Sequence, residues 1–71
     1  MLPRPRNYEM FRDPIKMILK DAKKPLTWTE IRVKAGFEQR VPNPRWVKWM
    51  EEDIGLIREK TKQGIILWRL G

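Results

Sequence analysis

The apolar residues in the first third of the chain recur at the spacing of one helix face. They are Phe11, Ile15, Ile18, Leu19 and Ala22. Asp13 followed by Pro14 is a typical N-cap and first-turn pair, and Pro25 is expected to stop the helix. The pattern therefore predicts a helix over residues 14–23, to which residues 8–11 can add a turn. The prolines and arginines before it predict an extended, mobile arm, so residues 1–12 are assigned to a flexible basic N-terminal arm.

A second helix is predicted by two local signals. Residues 27–30, TWTE, fit a capping box, in which the threonine and glutamate side chains each bond the other residue's backbone amide. Gly36 suits the left-handed position that ends many helices. These signals predict a helix over residues 28–35, and Leu26 just before it predicts a very short strand.

The last third of the chain predicts a helix followed by a hairpin. Asn43 and Pro44 repeat the capping signature and predict a helix over residues 44–53. Its core stripe is Val47, Met50 and Ile54, and its second face carries Arg45, Lys48, Trp49 and Glu52. Apolar or alternating runs predict strands over 56–60 and 65–70, joined by a turn in which Gly64 takes positive φ. The element order predicts an α+β domain over residues 13–71.

Composition narrows the chemistry of this chain. Its 71 residues carry a net charge of +7, with a pI near 10.3, which favours a polyanionic partner. A charged surface of the thermophile kind would explain many charges but not the positive excess.

The absence of cysteine and histidine excludes thiolate and imidazole metal sites and Cys/His or Ser/His catalysis. The acidic residues 51–53 are consecutive on a helix and cannot converge on one point. We therefore expect no enzyme activity, no metal and no cofactor.

No apolar run approaches the roughly 18 residues that span a bilayer, and no signal-peptide stretch follows the first arginines. We therefore expect an intracellular, cytoplasmic protein without membrane contacts. No pattern of apolar residues indicates a cavity for a small-molecule ligand, and none is expected.

Two segments carry a resemblance to a known family. LTWTEI opens the second helix, and RWVKWMEEDIGLI leads into the hairpin. More specific features are an apolar-Glu-x-x-x-Gly-Leu-Ile pattern from Met50 to Ile57 and a final strand ending in LWRL. Over residues 13–70 the chain resembles the winged helix-turn-helix DNA-binding domains, in particular small, basic archaeal members. The resemblance implies three helices, a small antiparallel sheet and a C-terminal β-hairpin wing.

The resemblance also implies roles for individual residues. The third helix would lie in the major groove, the wing would touch backbone or minor groove, and the second helix would begin near a phosphate. The recognition residues would be Asn43, Arg45, Lys48 and Trp49. The wing contacts would be Lys60, Thr61, Lys62 and Gln63. Thr29 and Arg40 would be phosphate partners.

The chemistry of these side chains fits such roles. An arginine such as Arg45 can bond guanine with two hydrogen bonds, and Lys48 can reach a base or a phosphate. Lysines on a wing add salt-dependent affinity through counterion release. Arg4 and Arg6 of the arm are expected to enter a minor groove. The acidic end of the third helix would repel phosphates, so it should point away from DNA or pair with Arg58 or Lys60.

Three functional hypotheses follow. The first is a DNA-associated factor or small transcriptional regulator that binds double-stranded DNA, with or without sequence specificity. The second is a protein-interaction module, in which an exposed Trp49 docks a protein partner or a second copy of the chain. Trp49 can instead pack on the hairpin or the first helix. The third, RNA binding, lacks the aromatic sheet surface expected of a single-strand RNA reader.

Overall fold

A computed structural model describes residues 5–71 of the chain. Over this range the chain forms three helices and three strands. In chain order they are α1 (Arg6–Asp21), β1 (Leu26–Thr27), α2 (Trp28–Ala35), α3 (Pro44–Asp53), β2 (Leu56–Lys60) and β3 (Ile66–Leu70). The strands form one antiparallel sheet in the order β1-β3-β2. The predicted α+β architecture, with three helices and a small antiparallel sheet, is confirmed.

The first helix begins at Arg6 rather than at residue 14, so the predicted arm is wrong for residues 6–12. Tyr8 and Phe11 are both buried in the core, and their burial holds the first turns of α1 in place. Pro14 therefore lies inside the helix, where it removes one backbone hydrogen bond at a cost of about 3 kcal/mol. Burial of two aromatic side chains offsets that cost. Arg4, the other predicted arm contact, lies outside the described residues.

The two later helices have the predicted bounds, and their capping signals act as expected. The Thr27 hydroxyl accepts a hydrogen bond from the Glu30 amide, and the Glu30 carboxylate accepts one from the Thr27 amide. That second bond is the main reason why the pKa of Glu30 is lowered. Gly36 ends α2 in the left-handed region, with φ of 74°. Local sequence was therefore sufficient to place both ends of α2.

The hairpin of β2 and β3 closes through residues 61–65. The Thr61 amide donates to the Ile65 carbonyl (2.7 Å), and the Ile65 amide donates to the Thr61 hydroxyl (3.1 Å). Gly64 has φ of +84°, as predicted. β3 begins at Ile66, one residue later than expected, because Ile65 closes the turn. The short β1 pairs with the middle of β3, where Leu26 lies opposite Trp68.

The core lies between the helices and one face of the sheet. Its buried residues are Tyr8, Phe11, Ile15, Leu19, Leu26, Ile31, Val47, Met50, Leu56 and Trp68. Trp28 stacks on Trp68, with ring centroids 5.4 Å apart, and Trp46 packs at the core edge. All three tryptophans therefore lie in or beside the core. Within residues 5–71, none of the helices has the length and apolar character needed to cross a membrane.

Candidate nucleic-acid interface

The outward face of α3 presents two exposed cations. Val47 and Met50 are buried in the core, whereas Arg45 and Lys48 are exposed on the other side of the helix. Residues three apart are neighbours on a helix surface. No ion pair found within residues 5–71 involves either cation. Both charges are therefore available to an anion.

Asn43, predicted as a recognition residue, is the N-cap of α3. Its side-chain oxygen accepts hydrogen bonds from the amides of Arg45 (3.0 Å) and Trp46 (3.3 Å). Capping the helix thus uses the side-chain oxygen of Asn43 as a hydrogen-bond acceptor. Its NH₂ group is the end that can donate to a phosphate or a base. The same residue can therefore start the helix and contact a ligand.

Trp49 differs from its predicted exposed state. It is half-buried, and its ring meets the Tyr8 ring edge-on, with centroids 5.1 Å apart and an interplanar angle of 84°. The expectation that Trp49 is exposed is therefore wrong, and the alternative in which it packs on the first helix is confirmed. The error follows from the assignment of residues 1–12 to a flexible arm, because that assignment left Tyr8 out of the expected core.

The acidic end of α3 is held by α1. The Tyr8 hydroxyl donates a hydrogen bond of 2.7 Å to Asp53, and an Arg12 nitrogen lies 3.9 Å from the same carboxylate oxygen. Burial, followed by this hydrogen bond, raises the pKa of Tyr8. Arg12 also donates to Asp13 at 2.8 Å, which is the largest cause of the raised pKa of Arg12. The Asp53 charge is thereby compensated inside the domain.

Pairing with Arg58 or Lys60 of the hairpin was one of the two arrangements expected for this acidic end. The described contacts of Asp53 are instead with Tyr8 and Arg12 of α1. The Arg58 guanidinium lies over the Trp68 ring, 5.5 Å from its centroid. Across the strands, Arg69 pairs with Glu59 at 2.6 Å. Sequence reasoning missed both contacts, although cross-strand register could have suggested the second.

The tip of the hairpin keeps its predicted cations exposed. Lys60, Lys62 and Gln63 are all exposed, and no ion pair within the described chain involves the two lysines. Thr61 is half-buried, and its hydroxyl serves the turn as an acceptor for the Ile65 amide. Two lysines and one amide side chain therefore project at this end of the sheet.

The predicted phosphate partners occupy two other places. Thr29 is exposed in the first turn of α2. Next to it in sequence, the Trp28 indole N–H donates to the Arg40 carbonyl at 2.8 Å, so the backbone of Arg40 lies beside the start of α2. This hydrogen bond between distant residues had no signal in the sequence. Arg6 is exposed in the first turn of α1.

Other kinds of site have little support. Among the described residues, no group of three or more acidic, cysteine or histidine side chains could hold a metal ion. A groove of about 610 Å³ lies between the end of α1 and α2, and its walls carry both charge signs. Its lining residues are Ile18, Asp21, Ala22, Lys23, Lys24, Leu26, Glu30 and Lys34. The groove does not include α3 or the hairpin tip.

Comparison of the chain with protein-family models, with curated proteins and with solved structures finds no match in any of the three. No relative therefore indicates a ligand or a reaction for this domain.

Proposed function

We propose that this chain is a winged-helix domain that binds double-stranded DNA. The observation that carries the proposal is the pair of exposed cations, Arg45 and Lys48, on the outward face of α3. The element order and the sheet order β1-β3-β2 are compatible with that fold. In this proposal α3 is the recognition helix and the β2–β3 hairpin is the wing.

The major groove admits an α-helix, and arginine can bond the O6 and N7 atoms of guanine together. Arg45 has the charge, the exposure and the position near the start of α3 for such a contact. Lys48, one turn further along, would bond a base or a phosphate. The Asn43 NH₂ group would add a donor beside them. Asp53 at the other end has its hydrogen bond to α1 and would stay away from the phosphates.

The wing would add affinity without reading sequence. Lys60 and Lys62 are exposed at the hairpin tip, where they can lie along a phosphate backbone. Each phosphate contact releases counterions, so the logarithm of the binding constant falls with the logarithm of salt by roughly 0.9 per contact. The net charge of +7 would increase the association rate at low salt.

A salt series of binding measurements on a random and a selected duplex tests the proposal. Arg45→Ala should lose about 1–3 kcal/mol on the selected duplex and less on the random one, because a base contact discriminates between sequences. Lys62→Ala should weaken binding to both alike and reduce the salt slope by about 1. Lys16→Ala removes an exposed lysine from α1 and serves as the matched control, with binding unchanged.

Absence of binding at low salt, or binding that salt does not weaken, would refute the DNA proposal. A structured RNA that competes better than duplex DNA would favour RNA as the ligand. The protein-module alternative relied on an exposed Trp49. Because Trp49 packs on Tyr8, that alternative has lost its main support.

A further inference from the structure

The outer face of α1 carries an apolar stripe that nothing in the described chain covers. Met10 is 66% exposed and Met17 is 58% exposed. They lie two turns apart, on the side opposite Phe11 and Ile15, which are buried in the core. Pro14, half-buried, lies between them. Exposed methionines on one helix face are a feature of protein-binding surfaces.

The two ends of the same face carry opposite charges. Arg6 is the first residue of α1 and Asp21 is the last, and both are exposed. No ion pair found in residues 5–71 involves either of them. A cation at a helix N-terminus and an anion at its C-terminus both oppose the helix dipole. Within one copy of the chain, both charges are therefore unfavourably placed.

These four residues are arranged symmetrically along the helix. Arg6 and Asp21 are equally far from the Asp13–Pro14 peptide, and so are Met10 and Met17. At 3.6 residues per turn, all four lie within an arc of about 60°. A two-fold axis through this peptide would place each methionine opposite the other methionine of a second copy. It would also place each Arg6 at the height of the second copy's Asp21.

We propose that α1 is the interface of a homodimer, in which two α1 helices pack antiparallel about the Asp13–Pro14 peptide. A two-fold interface requires a self-complementary surface, and the symmetric charges and methionines provide one. In this arrangement Arg6 and Asp21 gain ion-pair partners, which residues 5–71 of the same copy do not supply. The helix dipoles also run in opposite directions, which is favourable.

The size of the contact surface between the two α1 helices sets the expected affinity of the dimer. α1 has 16 residues and is about 24 Å long, so one helix pair buries less than the standard 800 Å² or so per partner. We therefore expect a reversible dimer with a dissociation constant on the order of 10–100 µM. The interface does not use α3 or the hairpin tip, so the dimer is measured without DNA.

Sedimentation equilibrium of the full chain over a concentration series tests the register. Arg6→Asp and Asp21→Arg, each alone, should raise the dissociation constant about tenfold, because each replaces two attractive pairs by two repulsive ones. The double charge reversal should bring it back to within about threefold of the wild type. Because each single reversal improves the local helix dipole interaction, unfolding of the monomer does not explain the loss.

Met10→Lys and Met17→Lys test the apolar part of the interface and should abolish the dimer below about 1 mM. Val33→Lys is the matched control, because Val33 is 71% exposed on α2, and it should leave the dimer unchanged. A wild-type chain that stays monomeric up to about 1 mM would overturn the proposal. So would a dimer that the methionine variants leave intact. A double reversal that fails to restore the dimer would overturn the antiparallel register.

Discussion

The two ends of α3 have charges of opposite sign and different surroundings. At the N-terminal end, Arg45 and Lys48 are exposed, and Asn43 caps the helix from which they project. At the C-terminal end, Asp53 accepts a hydrogen bond from Tyr8 of α1, a helix that is distant in sequence. The charged side chains of the basic end thus contribute little to the core, whereas a charged side chain of the acidic end is hydrogen-bonded to a core residue.

This difference indicates how a very small domain can tolerate charges on an exposed helix. Charges that oppose the helix dipole or repel a polyanion are tolerated where another element compensates them. Charges left exposed contribute little to stability, so a substitution there can change binding without changing the fold. Substitutions at the acidic end of α3 should therefore change stability, and substitutions at the basic end should change binding.

The largest effect is expected from Tyr8→Ala. Tyr8 is fully buried, so its truncation should lower the free energy of unfolding by about 3–5 kcal/mol. Urea denaturation followed by tryptophan fluorescence measures it. Met10→Ala, on the exposed side of the same helix turns, should change stability by less than about 0.5 kcal/mol. If the two variants were equally stable, residues 6–12 would be a flexible arm after all.

A smaller effect is expected from Tyr8→Phe, which keeps the ring and removes the donor to Asp53. Loss of a hydrogen bond to a carboxylate should cost about 1–2 kcal/mol. A double-mutant cycle with Asp53→Ala should show a coupling of about 1 kcal/mol. DNA binding by the folded Tyr8→Phe chain should be unchanged. Weaker DNA binding at saturating folded protein would mean that both ends of α3 belong to the interface.

Substitutions of Asn43 can separate its role as a helix cap from its proposed role in DNA binding. Asn43→Ala removes the cap and should destabilise the domain by about 1 kcal/mol. Asn43→Asp retains a capping oxygen, so stability should stay close to that of the wild type. The added negative charge should nevertheless weaken DNA binding several-fold, since it lies beside Arg45 and near the proposed phosphates. Equal DNA affinity of the Asp variant and the wild type would place the DNA surface elsewhere.

The smallest effect, absent at neutral pH, concerns the titration of Tyr8. Its pKa is raised in the folded chain, so the unfolded chain loses this proton first as the pH rises. The stabilising contribution is therefore complete below the ordinary tyrosine pKa of 10.0 and is lost progressively above it. Tyr8 is the only tyrosine, so tyrosinate absorbance follows it directly. Tyr8→Phe should lose less stability than the wild type between neutral pH and pH values above 10.0.

The fold was largely predictable where its signals are local. The capping box at residues 27–30, Gly36 and the Asn43–Pro44 pair act through bonds between residues close in sequence, and they placed both ends of α2 and the start of α3. The start of α1 had no such signal. Pro5 is the N-cap and makes no side-chain cap bond, so burial of Tyr8 and Phe11 decides where that helix begins.

The candidate site shows the same division. Periodicity predicted the exposure of Arg45, Lys48 and the hairpin lysines, because helix and turn geometry alone direct those side chains outward. The surroundings of Trp49 and Asp53 did not follow from it. Both depend on Tyr8, which is 45 positions away from Asp53 in the chain.

By itself, the amino-acid sequence determined the α+β element order, the caps of α2 and α3, the hairpin turn and the positive charge. These properties depend on backbone conformations and interactions within a few residues. Only the tertiary structure decided that α1 begins at Arg6, that Trp49 packs on Tyr8 and that Asp53 is compensated by α1. The physical reason is that burial and long-range hydrogen bonds depend on which elements meet, and hydrophobic periodicity does not specify their partners.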